Sequence, residues 1–179
     1  MLNQIPVLDK GYVALYSCAP NGQELTLLSK EFMRGVKDKK FADMTSISIK
    51  IKCPLFVQMT FAEYGLTHIS QRGATNIEAF IPTVADIKAQ TLEASEAIQA
   101  DIEQTTDALL LNPKAYQYEN CDLFISQVIS PISVYNVLVV TGSLSKWKHF
   151  IAQAGFPTPI EAYRKAISEA VSAEYQGWL

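Results

Sequence analysis

The segment SKWKHF, Ser145 to Phe150, sets Lys146 and His149 one helical turn apart with Trp147 beside them. An ammonium, an imidazole and an indole so placed could hold a phosphate and stack on a base. In TSISIKIK, Lys50 and Lys52 share one face of a strand while Ile47, Ile49 and Ile51 fill the other. Between Lys30 and Lys52 seven bases face three acids, so a basic region exists locally. Further on, KAYQYEN alternates Tyr116 and Tyr118 with polar residues. Cationic tracks interleaved with aromatic platforms bind single-stranded nucleic acid, each base stack contributing about 1–3 kcal/mol. The candidate track is Arg34, Lys37, Lys39, Lys40, Lys50, Lys52, Arg72, Lys146 and Lys148, with His149 beside it. The candidate platforms are Tyr64, Tyr116, Tyr118 and Trp147. Plainer readings stand alongside: Lys50 and Lys52 as a solvated strand face, Trp147 as a core anchor, the two tyrosines as local surface packing.

Other templates are missing. There is no Gly-x-Ser-x-Gly, P-loop or Gly-x-Gly-x-x-Gly segment. His68 and His149 alone do not make a metal site, so no metal is expected. Cys18, Cys53 and Cys121 are odd in number and far apart, which suits free thiols in a reducing cytoplasm. The N-terminus shows no basic-then-apolar signal pattern, and no stretch approaches 18 apolar residues. The net charge of -3 divides unevenly: Val84 to Pro113 holds six acids against Lys88, and the remainder sums to about +2.

The elements that must position these residues follow from periodicity. At 179 residues and 49% hydrophobic content, one α+β domain spanning residues 1–179 is expected. Strands are predicted at Gly11–Ser17, Thr45–Lys52 and Ser133–Gly142, the last buried on both faces because it is apolar throughout. Helices are predicted from Gln23 to Arg34, from Pro54 to Tyr64 and from Thr83 to Leu111. Two more are predicted from Ser143 to Ala154 and from Thr158 onward. Gly65 to Asn76 reads as loop. The thin apolar line of the 83–111 helix suits packing against a partner helix or subunit.

Three stretches in order resemble the flavin-dependent thymidylate synthases: VLDKGYVAL, SISIKIKCPLFVQMTFAEYG and QVISPISVYNVLVVTGSLSKWKHFIAQAG. The resemblance implies that family's fold, an antiparallel sheet packed with helices, and its homotetramers with sites between chains. It also implies a signature, Arg-His-Arg-x-x-Ser-x-Asn-Glu-x-Ser-x-Arg-Tyr, whose Arg and His groups hold flavin and nucleotide phosphates. Laid on this chain, the signature falls on Glu63, Tyr64, Gly65, His68, Ser70, Gln71, Gly73, Thr75 and Asn76, and every specified position differs. The family's later phosphate-gripping arginines fall on Gln127, Ser145 and Ala154, while Lys50, Lys146 and His149 fall near its flavin.

Charge-assisted contacts to phosphate contribute roughly 1.5–3 kcal/mol each. Losing several argues against the family reaction, and no cofactor is expected. The expectation is therefore a non-catalytic homo-oligomer, dimer or tetramer, that binds single-stranded DNA on a degenerate scaffold. Its setting would be the replication or transcription machinery rather than a membrane. A protein-interaction subunit, for which the terminal EYQGWL offers a docking surface, and a nucleotide enzyme with altered chemistry are the alternatives.

Overall fold

The computed structural model describes residues 3–33, 39–70, 78–85, 95–110 and 133–178. Among these, five strands form one antiparallel sheet: β1 (Ile5–Val7), β2 (Gly11–Ala19), β3 (Ser46–Pro54), β4 (Thr67–Ser70) and β5 (Tyr135–Ser143). Their order is β1-β2-β3-β5-β4. The helices are α1 (Gly22–Met33), α2 (Lys39–Met44), α3 (Leu55–Glu63), α4 (Ser95–Leu110), α5 (Leu144–Ala152) and α6 (Thr158–Glu174). The α+β expectation holds.

β3 lies at the centre because its pattern suits both neighbours. Ile47, Ile49 and Ile51 are fully buried beneath the helices, and each such burial contributes about 1.5–3 kcal/mol. The register sets Ile51 beside Val13 of β2 and Leu138 of β5, and Lys50 beside Ala14 and Val139. Paired residues in an antiparallel ladder share a face, so Lys50 and Lys52 stand on the side away from the isoleucines. β5 is not buried on both faces as its composition suggested. Leu138 and Val140 are in the core, whereas Val137 and Val139 on the other face are half-buried.

Local chemistry sets the turns between elements. Pro54 does not open α3 from inside; it ends β3 in extended backbone and stands just before the helix. At the other end of α3, Gly65 has φ +65°, Gly65 N donates to Ala62 O and Leu66 N to Phe61 O. That pairing is a Schellman motif, which glycine suits because a left-handed backbone crowds any Cβ. It turns the chain straight into β4, so a strand occupies part of the span read as loop. Ser143 caps α5 as expected, its hydroxyl accepting from Lys146 N at 3.4 Å. Thr158 is already inside α6, which starts after Pro157.

α5 and α6 close the core. Trp147 is fully buried and its indole N–H donates to Ile47 O at 3.2 Å, joining α5 to β3. Ile160, Tyr163, Ile167 and Val171 of α6 are buried as the spacing predicted. Tyr175 and Trp178 are buried too, so two rings of the C-terminal segment join the core. The Tyr175 hydroxyl donates to Pro20 O at 2.7 Å, and the carbonyl of Trp178 accepts from Lys148 Nζ at 2.5 Å. The long acidic helix is described from Ser95, with Ile98 and Ile102 half-buried; residues 86–94 lie outside the described set. No helix among the described residues is long and apolar enough to cross a membrane.

Candidate functional site

The Schellman turn puts the end of α3 and the start of β4 next to α5. Here Tyr64 packs its ring on His149 at 5.3 Å between centroids, edge-on to Phe150 at 5.3 Å and near Phe156 at 6.2 Å. Lys146 Nζ donates to Gly65 O at 2.7 Å. Nearly two turns before Tyr64 on α3, Gln58 is the polar residue that the apolar run LFVQMTF buries, at 9% exposed. Its Nε2 approaches His68 Nε2 at 2.7 Å and Ser70 Oγ at 3.5 Å, while its Oε1 accepts from Asn136 Nδ2 at 3.5 Å. These partners come from β4 and β5, whose register places His68 beside Val140 and Ser70 beside Leu138, on the helix-covered face.

A buried carboxamide left without partners would cost about 1–3 kcal/mol. Gln58 avoids this only through side chains reaching it from two strands. His68 and Ser70 are themselves exposed, so the network opens to solvent along the edge of the sheet beside α3. Imidazole, hydroxyl and carboxamide groups at such an edge can donate to and accept from the polar rim of a planar heterocycle.

A second polar network ties the opposite face. The Tyr135 hydroxyl donates to Asp9 Oδ1 at 2.6 Å. Lys52 is ion-paired with Glu78 and its ammonium lies 5.6 Å from the Tyr135 ring centroid. The Tyr163 hydroxyl donates to Lys52 O at 2.8 Å. Burial first, then the neighbouring Asp9 carboxylate, pushes the Tyr135 phenol far above its ordinary range. Tyr135 is thereby kept a neutral donor within a closed clasp.

Among the described residues the basic track is not assembled. Lys50 and Lys52 lie on the sheet face opposite the helices, with Lys52 engaged by Glu78. Lys146 and Lys148 donate to Gly65 O and Trp178 O. Trp147 is inside the core and offers no face for stacking, and Tyr64 is held in an aromatic group with His149. Lys40 is exposed on α2 and has an interaction of its own. Arg34, Lys37, Arg72, Tyr116 and Tyr118, and the Lys39 side chain, lie outside the described residues. The residues that do converge, Gln58, His68, Ser70 and Asn136, were not among the candidates. Their signal was legible: a polar residue inside an apolar helix, and Asn136 inside the apolar strand VYNVLVV.

The flavin grip implied by the resemblance does not fit. Glu63 and Ala154 are exposed and carry no cation, Tyr64 is packed among aromatic rings, and Gly65 contributes only a carbonyl already bonded to Lys146. Among the described residues no three His, Cys, Asp or Glu side chains converge to hold a metal ion.

The sequence matches no protein-family model and no curated protein. The fold is similar to that of a UMP/dUMP methylase, PolB from Streptomyces cacaoi, in the structure bound with 5-Br dUMP. The TM-score is 0.69 at 13% identity, over 94% of this chain and 93% of that one. For the same methylase bound with 5-Br UMP the TM-score is 0.68 at 13% identity, over 96% and 92%. This likeness corrects the expectation of a non-catalytic single-stranded-DNA-binding protein. The fold is shared with a protein whose name is UMP/dUMP methylase, and the described cations and rings assigned to a DNA track are dispersed or engaged.

Proposed function

We propose that this chain is an enzyme that modifies a pyrimidine nucleotide of the uridylate type. The observation that carries the reading is the fold match with a UMP/dUMP methylase over nearly the full length of both chains. The polar edge formed by Gln58, His68, Ser70 and Asn136 supports it, since those groups suit the carbonyl and imide rim of such a base. Kinship with the flavin-dependent thymidylate synthases belongs to the same reading, supported by the three motif stretches in order. The missing cations mean that a phosphate is held by other groups than in that family, and that the chemistry has changed with them.

Thermal unfolding with and without UMP, dUMP and, as a control, AMP tests the reading. A ligand at a hundredfold its dissociation constant stabilises by about 2.7 kcal/mol, which for a chain of this size raises Tm by roughly 5–10 °C. A rise with the uridylates, followed by mass analysis showing an added methylene on the nucleotide after incubation with one-carbon donors, is the expected result. No rise with either uridylate would overturn the reading.

A further inference from the structure

We propose that His68, held by Gln58 as the neutral Nδ1–H tautomer, is a catalytic hydrogen-bond donor to a carbonyl oxygen of the substrate's base. The inference rests on the nucleotide reading above and assigns a role within it.

A carboxamide nitrogen can only donate. With the Gln58 amide oriented so that its Nε2 lies 2.7 Å from His68 Nε2, that ring nitrogen accepts, which assigns the imidazole proton to Nδ1. In that orientation its nitrogen also points at Ser70 Oγ and its oxygen accepts from Asn136 Nδ2, so one placement of the amide serves all three partners. Gln58 is a positioning residue: it is almost wholly buried and reaches a substrate only through His68.

His68 and Ser70 are two residues apart on β4 and both are exposed. Strand geometry sends their side chains to the same face. A Ser70 hydroxyl that accepts from Gln58 keeps its own O–H for donation. Two donors, an imidazole N–H and a hydroxyl, thus belong to exposed residues on one face of β4. When a nucleophile or hydride from a co-substrate adds to C6 of a uracil ring, the C5–C6 π bond breaks and its electron pair moves through the enone onto the C4 carbonyl oxygen. A donor already fixed there stabilises the transition state more than the ground state. A neutral imidazole can serve as this electrophile. The proton stays on Nδ1 throughout, so His68 makes and breaks no covalent bond, and the added pair comes from the co-substrate.

The chain has two histidines, which makes ring-nitrogen NMR of histidine-labelled protein decisive, with His149→Asn assigning the signals. The expected spectrum shows His68 as the Nδ1–H tautomer, moving when UMP is added. Gln58→Ala should return it to a mixture, and Gln58→Glu, whose carboxylate accepts, should place a proton on Nε2. His68→Ala should lower turnover by about 10²–10³-fold at little change in KM. An Nε2–H tautomer in the wild type, or an unchanged KM-and-kcat pair in His68→Ala, overturns the inference. UMP binding that leaves the His68 signals in place overturns it while sparing the nucleotide reading. Failure to bind any pyrimidine nucleotide overturns both.

Discussion

A tryptophan in SKWKHF has two possible employments, and burial decides between them. Trp147 is fully enclosed, edge-on to Phe61 at 6.4 Å and bonded to Ile47 O. Trp147→Ala should therefore lose about 3–5 kcal/mol of stability, measured by urea unfolding; a loss below 1 kcal/mol would return the indole to the surface. The Arg164 guanidinium, bonded to both oxygens of Glu161, holds that carboxyl below the usual glutamate range. A depressed folded-state pKa contributes stability above the unfolded value and loses it as pH falls through the folded one. Glu161→Gln should thus lower stability at neutral pH only slightly, because the pair is near the surface. It should also remove part of the acid-limb slope below the ordinary glutamate range. An unchanged acid limb would show that the pair does not persist in solution.

At the scale of elements, the join of α3 to β4 decides where the candidate site lies. Gly65 at φ +65° closes the helix and presents its carbonyl to Lys146. Nothing crowds a Cβ there more closely than the Lys146 side chain at 3.5 Å. Gly65→Ala should consequently cost only the left-handed backbone penalty, about 1–2 kcal/mol, visible as a lower Tm with the fold retained. A larger loss would mean that the turn moves and carries β4 with it. Gly11 differs: a Cβ there would meet the Tyr163 hydroxyl at 1.9 Å and the Lys52 carbonyl at 2.8 Å. The start of β2 can lie this close to α6 because that position lacks a side chain.

Across the whole molecule, three phenols bind distant segments together: Tyr135 to Asp9, Tyr163 to Lys52 and Tyr175 to Pro20. Burial is the leading cause that raises all three above their ordinary value of 10.0. A pKa raised on folding contributes stability that is fully present below the unfolded value and is lost as pH climbs beyond it. Stability should be level up to about pH 10 and fall steeply above it, with tyrosinate absorbance appearing together with loss of helical circular dichroism. Gradual ionisation of these phenols before unfolding would contradict their burial.

Much of this architecture was legible in the chain. Alternation in TSISIKIK, the cap at Ser143 and the stripe of the last helix each report a local preference that packing reinforces, so the α+β class and the isoleucine face of β3 follow from sequence. Which side chains meet does not. Gln58, His68, Ser70 and Asn136 come from three elements, and only the β4–β5 register and the turn at Gly65 bring them together. Lys50 and Lys146 looked like parts of one cationic surface, yet the sheet separates them, because alternate strand residues face opposite sides. Periodicity encodes the direction of a side chain within its own element. Proximity between elements is set by register and packing, and those exist only once the chain has folded.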